Sequence, residues 1–251
     1  MPPKVCTDAQ VIARVHKSLE PEAKQYSVNL PSPTLPLNEY LSTLKKTRNL
    51  PIYAPTFGMF LSGETDTASC HKFENCRNSS LPTPCTVEQA SAFLSVFPLN
   101  KLDYDASYYN KMGASKPGPK SRASAAKYKL RDSMSVHLLL PLARWPKGKN
   151  DRLKIGRMLL EKKGTDPNGT VAKIDCWCYT PNELGMGPIH IAAGTGDVEM
   201  VKLLLEFGAD KGLKDGYGRT AVELAGKKGK RQVVKILEEW NGGGNLRGRR
   251  G

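Results

Sequence analysis

The sequence predicts a mainly α protein: a C-terminal solenoid of helix-turn-helix repeats with hairpin fingers, preceded by a proline-rich, partly irregular N-terminal region. Three observations carry that prediction. A slide of 33 residues lays Asn182 on Asp215, Gly185 on Gly218, Ala192 on Ala225, Gly196 on Gly229, Val201 on Val234 and Leu204 on Leu237, and a fixed period of that length marks stacked repeats. Apolar residues recur at helical spacing within each copy. Upstream, 11 of the 18 prolines fall within the first 100 residues, which breaks that region into short pieces.

Each copy opens with a turn, Asn-Glu-Leu-Gly at 182–185 and Asp-Gly-Tyr-Gly at 215–218, where Asx side chains bond the local backbone and Gly admits positive φ. A short helix follows. Pro188 suits its first position in one copy and Thr220 its N-cap in the other, while Ala192, Ala193 and Ala225 keep it narrow enough for a close neighbour. Gly196 and Gly229 then break the chain before a second helix. Its expected buried stripe is Val198, Val201, Leu204 and Leu205 in one copy and Val233, Val234, Ile236 and Leu237 in the other, with Gly208 as C-cap.

Gly-Pro-Ile-His-Ile-Ala-Ala at 187–193, Val-Lys-Leu-Leu-Leu-Glu-Phe-Gly-Ala-Asp at 201–210 and Asp-Gly-Tyr-Gly-Arg-Thr-Ala at 215–221 resemble ankyrin repeats. The pattern departs from the family at Gly187, where Thr is expected, and at Glu223, where His190 leads one to expect a second His. The resemblance implies a binding scaffold without chemistry of its own, and a hydrogen-bonding role between repeats for His190. Because about three units are needed for a stable stack, Ser135 to Asp166 is expected to form a degenerate repeat. There Val136–Leu140 stands in for a first helix, and Leu153, Ile155, Met158, Leu159, Leu160 and Gly164 stand in for a second helix and its cap.

The expected domains are a proline-rich region at 1–105, a basic linker or arm at 106–133, repeats at 134–240 (degenerate at 134–168, regular at 182–214 and 215–240) and a Gly/Arg tail at 241–251. Net charge is +14, and the excess lies in the middle and at the end. From Ala106 to Arg131 there is no acidic residue, while Lys111, Lys116, Lys120, Arg122, Lys127, Lys129 and Arg131 are interleaved with small residues and tyrosines. Such a block is either a solvated linker or a basic arm that tracks the phosphates of RNA.

In the N-terminal region, Thr7 and Gln10 form a capping box for a helix over 7–19 with Ile12, Val15 and Leu19 on one face and Pro21 as its stop. Leu37, Tyr40, Leu41 and Leu44 predict a second helix ending at Lys45 and Lys46. Thr86 and Gln89 open a third, with Ala90, Phe93, Leu94 and Phe97 on its face and Pro98 after it. Pro51 to Leu61 reads as extended chain. Cys70, His71, Cys76 and Cys85 are the one metal-like group in the sequence, but adjacent Cys and His seldom share an ion and no Cys-x-x-Cys knuckle is present, so the reading taken is no metal and no cofactor, with a zinc-binding N-terminal domain as the alternative. The six cysteines are expected to be reduced thiols.

No apolar run approaches 18 residues and no signal-peptide pattern opens the chain, so membrane insertion is not expected and the expected location is intracellular, cytoplasmic or nuclear, with organelle import left open. No nucleotide-binding glycine motif and no nucleophile–base pair is present, so no catalytic residue is assigned and no enzymatic activity is expected. Protein partners are expected at Lys211, Lys214, Tyr217 and Arg219 on the finger tips and the concave face. Trp177 and Tyr179 are candidates on an extended hairpin within the long connection from Thr165 to Asn182. RNA or another acidic surface is expected at the basic arm, as in a ribonucleoprotein or ribosome-like complex. The alternative is a regulatory adaptor without nucleic acid, and the oligomeric state is not set by the sequence.

Overall fold

A computed structural model of the chain describes residues 6–47, 50, 85–97, 139, 142–143, 150–161, 165–170 and 185–241. The described residues are helical, with no strand among them. The chain divides into two compact units, Met1–Asp105 and Ala106–Gly251.

The first unit contains α1 (Asp8–Gln25), α2 (Leu37–Lys46) and α3 (Val87–Val96). α1 starts where the sequence says it must: the Thr7 N–H donates to Gln10 Oε1 at 3.0 Å and the Gln10 N–H to Thr7 Oγ1 at 3.3 Å. Val11, Ile12, Val15, Leu19 and Ala23 form its buried stripe. Pro21 does not stop it. Proline forfeits one helical hydrogen bond, but Ala23, one turn beyond Leu19, is buried, and the helix runs on to Gln25. It then closes with the Val28 N–H on the Ala23 carbonyl at 2.8 Å and Ser27 in the left-handed region at φ 53°.

α2 turns Leu37, Tyr40, Leu41 and Leu44 inward and packs on both α1 and α3. Each such side chain contributes about 1.5–3 kcal/mol through burial. The Tyr40 hydroxyl meets His16 Nδ1 at 3.2 Å, and burial pushes the phenol above its ordinary pKa. On α3, Thr86 and Gln89 form the expected capping box, and the Gln89 amide also donates to the Cys6 carbonyl at 3.0 Å and to Asp8 Oδ1 at 2.7 Å, which ties the start of α3 to the start of α1.

The second unit contains α4 (Asn150–Glu161), α5 (Pro188–Thr195), α6 (Val198–Glu206), α7 (Ala221–Lys227) and α8 (Arg231–Glu239). α5 and α6 make one antiparallel pair and α7 and α8 the next; α5 packs on α7, α6 on α8, and α4 on the other side of α6. Both hairpins turn at a left-handed glycine, Gly196 at φ 77° and Gly229 at φ 66°, as the 33-residue period requires.

The buried stripe of α6 is wider than the spacing suggested. Met200 and Leu203 are buried and Val198 only half-buried, as are Val234 and Ile236 in α8. The cause is α4: Gly156 has no side chain, and a Cβ there would stand 3.2 Å from Leu203 and 3.8 Å from Met200. Leu139, Leu142, Ala143, Ile155, Leu159 and Leu160 are also buried.

A buried ion pair links α4 to the repeats. Arg152 meets Asp197, both side chains being 3% exposed, and also donates to the Leu142 carbonyl at 3.3 Å. Asp197 meanwhile caps α6, accepting from the Met200 N–H at 3.2 Å. The turn after α4 also repeats the turn after α6. Asp166 Oδ1 accepts from the Asn168 N–H at 2.9 Å and Asp210 Oδ1 from the Gly212 N–H at 2.8 Å. Asn168 then joins the two turns, donating to the Gly208 carbonyl at 3.1 Å and accepting from the Asp210 N–H at 2.7 Å.

The last helix pair is finished differently from the one before it. His190, Ala193, Gly194, Asp197 and Leu205 are buried, whereas the residues 33 positions on, Glu223, Gly226, Lys227, Lys230 and Glu238, are exposed or, for Lys230, half-exposed. Polar side chains on an outer face are what a terminal repeat requires.

Candidate interaction surface

The second finger, residues 209–220, is built around Asp215. Its carboxylate is fully buried, with Oδ1 accepting from the Tyr217 and Arg219 N–H groups, each at 2.9 Å. Oδ2 accepts from Arg219 Nε at 2.8 Å and pairs with Nη2 at 2.7 Å. Two nitrogens of one guanidinium thus converge on a single carboxylate oxygen, a charge-assisted contact that holds the group in place. Arg219 is thereby held over the Tyr217 ring, 4.8 Å from its centroid, and Tyr217 stands 53% exposed beyond it.

His190 fastens this finger to α5. Its Nδ1 accepts from the Gly187 N–H at 3.1 Å, which leaves Nε2 as the protonated nitrogen, donating to the carbonyls of Leu213 at 3.0 Å and Arg219 at 3.3 Å. Full burial lowers the imidazole pKa, against the opposing pull of Asp215 and of the two carbonyl bonds, and the ring is held neutral. Thr220 caps α7 in a reciprocal box: the Glu223 N–H donates to Thr220 Oγ1 at 3.3 Å, and the Thr220 N–H to Glu223 Oε2 at 2.7 Å. Those bonds from Thr220 lower the pKa of the exposed Glu223.

The expected binding residues are not equivalent in this frame. Tyr217 and Lys214 are exposed on the finger, and Arg219 is half-buried. The Lys211 ammonium is engaged at the end of α8, donating to the carbonyls of Leu237 at 3.2 Å and Trp240 at 2.9 Å, where a cation favours the helix dipole. Trp177, Tyr179 and the basic residues Lys111, Lys116, Lys120, Arg122, Lys127, Lys129 and Arg131 lie outside the described residues, as do Pro51–Leu61, Cys70, His71 and Cys76. Cys85 is a buried thiol, and among the described residues no group of three or more His, Cys, Asp or Glu is placed to hold a metal. No described helix is long and apolar enough to cross a membrane.

Four structural residues have roles that the sequence pattern does not assign. Asp215 reads as a turn residue, although an acid four positions before Arg219 is a signal for an ion pair. Asn168 falls in the long connection from Thr165 to Asn182, where no local pattern gives it a role. Arg152 and Asp197 belong to separate helices, and no local pattern relates them.

Residues 171–225 match a family model described as ankyrin repeats (many copies). The chain is similar to ankyrin repeat domain-containing protein 63 of Mus musculus, 40% identical over 73 residues that cover 28% of this chain and 18% of that protein. The human protein of the same name is 38% identical over 73 residues, with the same shares. The chain is also similar to ARF GTPase-activating protein GIT2 of Rattus norvegicus, 37% identical over 57 residues, 23% of this chain and 8% of that protein. It thus spans no more than 18% of the length of these curated relatives.

Proposed function

Because the C-terminal part of this chain is a run of ankyrin repeats, we propose that the protein is a non-catalytic interaction subunit of a larger assembly, with the finger of residues 209–220 among its contact surfaces. The observation that carries this reading is the construction of that finger: a buried Asp215 and a buried His190 spend their hydrogen bonds on holding an exposed Tyr217 and its Arg219 in one arrangement. Preorganised aromatic and guanidinium groups are characteristic anchors of protein interfaces.

In this reading, residues 134–168 are a third, degenerate unit of the stack. The packing of α4 on α6 and the duplicated turns at Asp166 and Asp210 support that assignment. The stretch 106–131 is its second contact, with RNA, supported by seven cations and no acid in 26 residues. Sedimentation of the tagged protein from a native lysate, with and without ribonuclease, followed by identification of the co-migrating components, tests both parts. A large particle that collapses on ribonuclease treatment supports the RNA contact. Protein partners that persist through the treatment support the interaction role and point to an adaptor without nucleic acid. Migration as a lone 27.5 kDa chain in both cases overturns the proposal.

A further inference from the structure

The chemistry of the partner segment can be read from how the charges around the second finger are used. Residues 211–231 carry seven cations (Lys211, Lys214, Arg219, Lys227, Lys228, Lys230 and Arg231) against two acids (Asp215 and Glu223). Both acids are engaged: Asp215 is buried against Arg219, and Glu223 accepts from the N–H and hydroxyl of Thr220 at 2.7 and 3.1 Å. Some cations are engaged as well. Lys211 closes the end of α8, the Lys228 ammonium lies over Gly194, and the Lys230 chain lies over Gly196. Lys214 on the finger, Lys227 on α7 and Arg231 at the start of α8 remain exposed.

On α7 the exposed positions Glu223, Gly226 and Lys227 fall on one face, and nothing stands within 4 Å of where a Cβ on Gly226 would be. The charge of Lys214 acts on Glu223 of this face, so the finger and the open side of α7 form one lane, with Tyr217, Lys214 and Lys227 as its exposed anchors and Glu223 as the one anion on it. We propose that this lane docks an acidic segment of a protein partner, which sets carboxylates against Lys214 and Lys227 and packs an apolar residue on Tyr217. The proposal rests on the reading of the repeats as a protein-binding module. Opposite charge adds specificity and speeds encounter, and the aromatic anchor supplies most of the residence time. Nucleic acid fits this surface less well. A strand is held by a row of cations and by aromatic faces open to bases, whereas here Arg219 already covers one face of Tyr217.

The test uses the full chain and a phage-displayed library of random peptides of about 12 residues, a length that spans a groove of this kind. The expected result is a selected set rich in Asp and Glu whose leading member binds about tenfold more weakly to Tyr217→Ala and to the pair Lys214→Glu with Lys227→Glu. The charge-reversed pair is expected to regain affinity for a peptide with Lys in place of its acids. All three positions are exposed, so circular dichroism should be unchanged. Selected peptides without acidic enrichment, or acidic peptides that bind all variants alike, overturn the acidic-segment proposal; protein partners retained in the lysate experiment would still stand. Oligouridine RNA that binds the wild-type chain and is lost from these variants overturns it in favour of nucleic acid.

Discussion

Arg152 of α4 and Asp197, the residue that caps α6, form an ion pair with each side chain 3% exposed. The same guanidinium holds the Leu142 carbonyl, so one side chain joins three segments of the second unit. Asp197→Ala strands a buried charge, at about 3–5 kcal/mol, and removes a cap worth about 1 kcal/mol. Asp197→Asn keeps an oxygen for the Met200 N–H and should lose less. Urea unfolding of the two variants should rank them in that order, and equal losses would remove the cap from the account.

His190 supplies a pH dependence of known sign. Its folded pKa lies below the ordinary value of about 6.5, so the unfolded chain takes up a proton before the folded one. Stability is therefore complete above about pH 6.5 and falls as pH drops below it, with a slope of at most about 1.4 kcal/mol per pH unit. Unfolding curves from about pH 7.5 to 5.5 should show the decline, and His190→Gln should be less stable at the upper end and flatter across the range. A wild-type curve as flat as that of the variant would contradict the buried neutral ring.

Gly187 departs from the family pattern for a reason visible in the fold. A Cβ there would stand 2.9 Å from the Gly169 carbonyl, a backbone atom of the turn that Asn168 holds in place. Gly187→Thr moves the sequence toward the family pattern, yet should destabilise the chain by about 1–3 kcal/mol. A thermal melt of the purified variant decides it, and an unchanged or higher midpoint would mean that the 165–170 turn gives way.

Ser27 closes α1 in the conformation that Gly208 uses to close α6, at φ 53° against 85°. A side chain in that region costs about 1 kcal/mol. Ser27→Gly should therefore raise the unfolding free energy of the first unit by about that amount, and Ser27→Val should lower it. Denaturant unfolding of both variants reads the two signs together.

What the sequence made legible is what local chemistry controls. The period of 33, the capping boxes at Thr7 and Thr86, the N-cap at Thr220 and the turn glycines each need only neighbours within a few residues, and all were readable, although the reciprocal bond that Glu223 accepts from Thr220 was not. What depends on distant partners was not. Pro21 reads as a stop because its missing N–H is a local fact, while the burial of Ala23 that carries α1 past it is a tertiary one. Met200 and Leu203 looked peripheral until Gly156 gave them a surface. At the candidate site, Tyr217 and Lys214 could be named from the finger pattern, but the engagement of Lys211 with α8 could not, since Leu237 and Trp240 are remote in sequence.

The exchange of His190, Ala193, Gly194, Asp197 and Leu205 for Glu223, Gly226, Lys227, Lys230 and Glu238 gives the end of the described stack a thinly packed face as well as a polar one. α8 buries Val233 and Leu237, and among the described residues α7 and α8 pack on α5 and α6. Amide hydrogen exchange should accordingly be fastest in α8, slower in α6, and follow that order as denaturant is added. The second finger is attached to this same end through Lys211. A partner seated on Tyr217 would therefore act as a clamp as well as a cargo, and the chain that carries it would unzip later than the chain that does not.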